Sequence, residues 1–453
     1  IYIRMLADDA ALEGDRKAAA LMNVTEISRS SKVNRAGANV ESISYRSQIP
    51  FEDLYEPSAG DEILIRYEIG GRRQKRDYGT VISNENGQIV FTRNSLNGFS
   101  HIAPNAIFEF KLFRTQSKQA VLESLATQIT DAWRDPLTEP PVGRAIMDLL
   151  LRRPPRLKGG AALPVADSND YLPAVIKATE LLDKSTLCIQ GPPGSGKTYL
   201  ASRTIAHLIS KGFKVGVVAN SHSAVDNLLL ACVDAGVPSN LILKPIQTGS
   251  TVRQPWQEFK DAGAMGKTRD KLDLETYVLG GTSFTFCNNA VRSERLDYLF
   301  IDEAAQFSLV DAIAASEIAN NLVLLGDPQQ LAQVVMAVHP GGVSNSALGH
   351  YMGEHPTLPA NMGYFIEVTR RLHPEINKPV SWLSYEGKLR AHVNTDAHFV
   401  DGLRPGITQI EVNHHSNVSR SDEEVEVVKK AVAPIKDMYV ILDHTRTLFM
   451  TIY

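Results

Sequence analysis

The stretch "LCIQGPPGSGKTYLA" occupies residues 187–201, and its reading decides the fold. An apolar, strand-like start runs into a turn rich in glycine and proline, and the turn opens a helix. Gly191, Gly194 and Gly196 let the backbone curl so that successive N–H groups face an anion. The helix from about Lys197 aims the positive end of its dipole at the same point. Lys197 adds a full charge for the β- and γ-phosphates, and the Thr198 hydroxyl suits Mg²⁺. The pattern G-x-x-x-x-G-K-[ST] is met from Gly191 to Thr198. A glycine-rich turn can also simply join strand to helix, but a strand before and a helix after favour a phosphate loop. The expected nucleotide cradle is Gly191, Pro192, Pro193, Gly194, Ser195, Gly196, Lys197, Thr198 and Tyr199.

Outward from this loop, strand-like runs recur as "STLCIQ", "KVGVVAN", "TYVLGGTS", "LDYLFID" and "NLVLLGD", with helical stretches between several of them. That alternation predicts an α/β fold, a parallel sheet wound with helices on both faces. In "LDYLFIDEAAQ" (296–306) Asp302 ends a strand where it can hold Mg²⁺ through water. Glu303 beside it can orient and deprotonate an attacking water. Alone, such a pair is more often a solvated turn; a phosphate loop upstream reverses the balance. "LVLLGDPQQLAQV" (322–334) ends a further strand at Gly326-Asp327, with Gln330 placed to sense a γ-phosphate. Ligands of open α/β sheets gather at the carboxyl ends of strands, so these strand ends point to one shared site. Residues 232–275 fit the pattern poorly and read as a small insertion.

Upstream, residues 3–22 and 116–134 read as amphipathic helices; in the second, Val121, Leu122, Leu125, Ile129 and Trp133 recur at helical spacing. Between them "DEILIRYEIGG" and "YGTVISNENGQIVFTRN" alternate apolar and polar residues, predicting a small β-barrel over about 40–115. "RRPPRLKGGAALP" (152–164) has the composition of a linker. The expected organisation is a helical stalk with the inserted barrel over 1–160, an α/β domain over 161–361, and a further section over 362–453.

Composition narrows the class. Hydrophobic residues make up 43% and charged residues 22% of the 453, ordinary for a globular protein with a real core. No apolar run is long enough to span a membrane, so no membrane partner is expected. The start lacks the layout of a signal peptide and lacks Met, so the chain reads as a piece. Cys188, Cys232 and Cys287 form no C-x-x-C pair and read as core thiols in a reducing, cytoplasmic compartment. A net charge of −4 gives no global pull toward nucleic acid, so any such binding needs a local groove. The basic hairpin tip "GGRRQKRDYG" (70–79) reads first as a solvated turn and second as a phosphate contact. His414 and His415 have no partner ligands in sequence, and no metal role is assigned to them.

"GPPGSGKT", "IDEAAQ", "GDPQQL" and "RRLHPE", in this order and spacing, resemble the motifs of superfamily 1 helicases. The likeness is to the nonsense-decay and Dna2-type branch, and within it to the helicase half of bacterial RecB-like nuclease–helicase fusions. It covers about residues 160–430, and the upstream helices and barrel match that branch's stalk and barrel. The resemblance implies RecA-like domains, ATP with Mg²⁺, and 5′-to-3′ movement on single-stranded DNA, with RNA as the alternative track. Lys197, Glu303, Gln330 and Arg371 form the implied catalytic set, with Thr198 and Asp302 as metal ligands. Arg371 is implied to grip the γ-phosphate from the second RecA-like domain, and Gln306 to link ATP site and groove. Ser221 and His222 in "ANSHSAVDNLL" and Thr282 and Ser283 in "GGTSFTF" are the implied contacts to the nucleic-acid backbone. It further implies a monomer, with a nuclease fused upstream in the full-length protein. Three departures stand out. The adenine-reading Gln is missing from "DSNDYLPAVIKA", where Asn169 offers the nearest amide. The later motifs, including an arginine finger, are missing too, so 362–453 reads as an incomplete second domain with weak hydrolysis in this piece. The first 160 residues carry no nuclease cluster. A non-motor ATP switch that clamps nucleic acid is the rival from another class.

Overall fold

The computed structural model describes residues 18–33, 39–49, 57–69, 72–85, 88–95, 103–109, 115–133, 143–167, 170–247, 254–260, 264–331, 342, 345–398, 405–407, 410–413 and 421–432. Asn169, His414 and His415, most of 3–22 and the C-terminal 433–453 therefore lie outside the described residues, as does the tip of the basic hairpin at 70–71. The chain divides into two compact units, Ile1–Arg114 and Thr115–Tyr453.

The first unit is a seven-stranded antiparallel sheet. Its strands are β1 (Ala18–Ala20), β2 (Met22–Val33), β3 (Asn39–Gln48), β4 (Glu62–Ile69), β5 (Arg72–Glu85), β6 (Gln88–Ser95) and β7 (Ala106–Glu109). The order β1-β7-β4-β5-β6-β3-β2 places β1 and β2 at opposite ends. Only Leu21 separates them, so one run of chain supplies both edges and closes the sheet into a barrel. Ile43, Tyr45, Ile63, Ile65, Tyr67, Val81, Ile89, Phe91 and Ile107 fill the interior at period two. The strands of this sheet span Ala18–Glu109, against the expected 40–115. Ala18–Ala20 and Met22, expected as helix, are strand, because Ala18–Ala20 pair β7 and Met22 pairs β3.

The second unit is built on an eight-stranded, all-parallel sheet. Its strands are β8 (Thr186–Gln190), β9 (Lys214–Val218), β10 (Ile242–Pro245), β11 (Gln257–Phe259), β12 (Tyr277–Gly281), β13 (Leu296–Ile301), β14 (Ala319–Gly326) and β15 (Gly363–Phe365). The order is β11-β10-β12-β9-β13-β14-β8-β15. Residues of each strand alternate between two cores. Leu187, Ile189, Val215, Val217, Phe300 and Val323 face helices Leu172–Leu181, Lys197–Ser210 and His222–Asp234. Cys188, Leu299, Ile301, Leu322 and Leu324 face helices Ala145–Leu150, Leu309–Ser316 and Ala347–Met352. Helices on both faces explain why these strands read as continuous apolar runs rather than alternating ones.

Three boundaries differ from the sequence reading. The expected insertion at 232–275 contributes β10 and β11 to the sheet edge; "ILKP" and "QEF" are too short and too polar to announce themselves. The expected linker at 152–164 is strapped down. Leu157 is buried, and Arg156 reaches the wholly buried Asp148, which also accepts from Ser185 Oγ at 2.7 Å. The expected break at 361 precedes β15, yet β15 pairs with β8 in the same sheet. Helix Gln116–Ala132 forms as read and belongs to this unit, held by Lys118 to Asp311 at 2.6 Å. Among the described residues no helix is long and apolar enough to cross a membrane, and no group of three potential metal ligands occurs.

Candidate nucleotide-binding site

The loop between β8 and helix Lys197–Ser210 is built by its glycines. Gly194 and Gly196 adopt φ of +70° and +92°, the left-handed region that favours glycine. A Cβ on Gly191 would lie 2.3 Å from Lys197 Cγ and 2.6 Å from Ser195 Oγ, so only glycine leaves room for the curl. Gly191 N–H donates to Gly326 O at 2.9 Å, tying the loop to the end of β14. Lys197 Nζ donates to Gly191 O at 2.6 Å and lies across the loop. Ser195 Oγ is buried with no hydrogen-bond partner. An orphaned hydroxyl in a glycine-lined cradle, with a lysine across it, fits a polyanionic ligand. Thr198 and Tyr199 are exposed, and the Arg203 guanidinium sits 3.6 Å from the Tyr199 ring centroid.

The acidic pair stands where β13 ends. Asp302 is buried, and its pKa is pushed up to about 6 by burial first and by the Glu303 charge second. The positive charge of Lys197 acts on it in the opposite direction. Glu303 has φ +50°, an unusual conformation for a residue with a side chain, and its N–H donates to Asp302 Oδ1 at 3.0 Å. Gly326 makes this turn possible: a Cβ there would lie 2.7 Å from Ala305 N.

Asp327 is almost fully buried and acts as a hub. It accepts from Gln330 Nε2 at 3.0 Å, Gln190 Nε2 at 3.4 Å and Tyr385 O–H at 2.6 Å. Gln330, read as a γ-phosphate sensor, has its amide engaged with Asp327. Burial and the Asp327 charge raise the Tyr385 pKa, keeping its hydroxyl a donor.

Arg371 lies against the loop. After β15 the chain forms β16 (Val368–Thr369), which pairs with β17 (Arg390–Ala391), and then helix Pro374–Ser384. Thr369 Oγ1 donates to Pro193 O at 2.7 Å and Arg370 N–H donates to Gly194 O at 2.8 Å. A Cβ on Gly194 would lie 2.2 Å from Arg371 Cβ. The Arg371 guanidinium is exposed and makes no hydrogen bond or ion pair with any described residue.

The residues expected to hold nucleic acid sit at neighbouring strand ends. Ser221 follows β9, is exposed, and caps helix His222–Asp234 by accepting from Ala224 N–H at 3.1 Å. His222 is half-buried, its Nδ1 unpartnered, and burial with the nearby Lys244 charge lowers its pKa, so it is neutral near pH 7. Thr282 and Ser283 follow β12; Thr282 is half-buried and Ser283 buried. Asn220 Nδ2 donates to Gln306 O, joining the β9 end to the turn after Glu303. Sequence reading missed Thr369, Gln190, Tyr385 and Asn220. Asn220 lies within "ANSHSAVDNLL" and Thr369 directly precedes "RRLHPE", whereas Tyr385 gave no signal.

Fold and site define the class: a P-loop α/β domain. Residues 174–358 match the family model described as an AAA domain. The DNA replication ATP-dependent helicase/nuclease DNA2 of Saccharomyces cerevisiae is 26% identical over 216 residues, which are 46% of this chain and 14% of that protein. The human protein of the same name is 26% identical over 281 residues, 58% of this chain and 26% of that protein. Regulator of nonsense transcripts 1 of Dictyostelium discoideum is 23% identical over 403 residues, 76% of this chain and 29% of that protein. The chain spans less than a third of the length of the curated relatives it matches. Among solved structures, an arterivirus nonstructural protein 10 (helicase) aligns with a TM-score of 0.34 at 14% identity, covering 74% of this chain and 59% of that one.

Proposed function

We propose that this chain is the ATP-using part of a superfamily 1 helicase that moves 5′ to 3′ along single-stranded nucleic acid, with DNA as the first choice. The observation that carries the reading is convergence. The loop after β8, the carboxylates after β13 and the Arg371 turn meet at the carboxyl end of one parallel sheet. In this reading the loop N–H groups and Lys197 bind the phosphates, and Glu303 takes the proton of the attacking water. Arg371 supplies a planar, permanently charged fork to the γ-phosphate. Thr198 and Asp302 would hold Mg²⁺, which supplies charge neutralisation at the phosphates. The burial that raises the Asp302 pKa leaves a carboxylate that a cation would stabilise. Ser221, His222 and Thr282 offer polar groups for backbone contact and no base-reading array, so binding is sequence-indifferent, while the buried Ser283 side chain is out of reach. The relatives named helicase/nuclease support a full-length protein with a second, nuclease activity. RNA is the second track, favoured by the match to Regulator of nonsense transcripts 1. A competition between single-stranded DNA and RNA decides it.

The test is phosphate release by the full-length protein with saturating single strands. Glu303→Gln keeps ATP affinity and loses roughly 10²–10⁴ in turnover, the usual worth of a general base. Turnover that is indifferent to both Glu303→Gln and added nucleic acid refutes the reading.

A further inference from the structure

Thr369 is fully buried and its hydroxyl is used three ways. It donates to Pro193 O at 2.7 Å, and it accepts from Arg371 N–H at 3.2 Å and Leu372 N–H at 3.4 Å. Its own carbonyl accepts from His392 N–H at 2.9 Å, which pins it to the chain after β17. The first bond fastens the phosphate loop. The other two set the turn from which the unpartnered Arg371 guanidinium projects. Arg370 N–H to Gly194 O adds a second tie between the same two segments. One side chain thus fixes the loop that cradles the phosphates and the backbone of the cation placed beside them.

We infer that Thr369 is a positioning residue that latches the phosphate loop to the Arg371 turn and thereby sets the preference for a nucleoside triphosphate over a diphosphate. The inference rests on the ATP reading above. Without the hydroxyl, Pro193 O loses its donor and the Arg371 turn loses its acceptor. The α- and β-phosphate contacts come from the loop and Lys197, so diphosphate binding depends on the latch far less. Only the γ-phosphate needs Arg371 aimed.

The test measures the affinities of ADP and of a non-hydrolysable ATP analogue, with Mg²⁺, in the chain and in Thr369→Val, Thr369→Ser and Arg371→Ala. Thr369→Val keeps shape while removing the hydroxyl. It lowers the triphosphate-over-diphosphate ratio about 5–10-fold, the usual worth of a buried hydrogen bond, while ADP affinity stays within about twofold. Thr369→Ser retains the parent ratio. In the Arg371→Ala background Thr369→Val changes the ratio no further, an outcome that a merely structural role would not produce. An unchanged ratio in Thr369→Val overturns the latch, as does equal loss of both nucleotides or failure of serine to rescue. A parent chain that binds neither nucleotide overturns the ATP reading, and the latch with it.

Discussion

Replacing Gly194 by alanine tests the approach of the Arg371 turn to the phosphate loop. At φ +70° an L-residue costs roughly 1–2 kcal/mol. The added Cβ would sit 2.2 Å from Arg371 Cβ and 2.9 Å from Arg371 N. Carbon atoms rest at about 3.5–4.0 Å, so loop and turn must part by more than an ångström. That separation breaks Arg370 N–H to Gly194 O and Thr369 Oγ1 to Pro193 O, each worth about 1 kcal/mol. The sum is roughly 3–4 kcal/mol of lost stability in the second unit. Elsewhere Gly→Ala tends to stabilise by about 0.4–1 kcal/mol through the unfolded chain, so the predicted sign is itself diagnostic. Urea unfolding followed through the buried Trp256 gives the number. A neutral or stabilising Gly194→Ala would refute the close approach and the single site built on it.

Tyr385→Phe removes the O–H donated to the buried Asp327 carboxylate and leaves no orphaned group on the ring. The expected cost is about 1.5–3 kcal/mol, and unchanged urea stability would mean that helix Pro374–Ser384 and the turn after it are not tied to β14. Glu180 is held below its usual pKa of 4.5 chiefly by its hydrogen bond with His207, at 2.8 Å, on the phosphate-loop helix. A depressed carboxylate contributes stability above its unfolded pKa and loses it as pH falls through the folded value. The free energy of unfolding should therefore fall below about pH 4.5 more steeply in the parent than in Glu180→Gln, by under about 1 kcal/mol. Parallel curves for the two would dismiss the pair.

The parts of the fold legible in the sequence were those with strong periodicity or strict spacing. β8, β9, β12, β13 and β14 are mostly apolar runs, and the loop from Gly191 to Thr198 meets a strictly spaced pattern. The edge strands β10 and β11 escaped because "ILKP" and "QEF" show no run or alternation, and sheet membership there comes from neighbours. The strand Ala18–Ala20 read as helix because alanine favours helix until pairing with β7 overrides it. That Asp302 and Glu303 stand together at the end of a strand could be read from type and spacing, whereas the left-handed backbone of Glu303 could not. The Asp327 hub joins Gln190, Gln330 and Tyr385 from three separate stretches, and no local pattern encodes such a meeting. The family resemblance implies that Arg371 comes from a second domain. In the structure its backbone packs on the phosphate loop through Gly194 and Thr369, which lie within one compact unit.

The central claim is that the loop after β8 grips a nucleoside triphosphate with Lys197 as its cationic contact. Equilibrium binding of a fluorescent ATP analogue, with Mg²⁺ present, compares the chain with Lys197→Ala. A charge-assisted contact is worth about 1.5–3 kcal/mol, so the variant should bind roughly 10–150-fold more weakly at equal stability. Equal affinity in the two proteins, or no binding by the parent chain, would contradict the assignment of this loop as the nucleotide site.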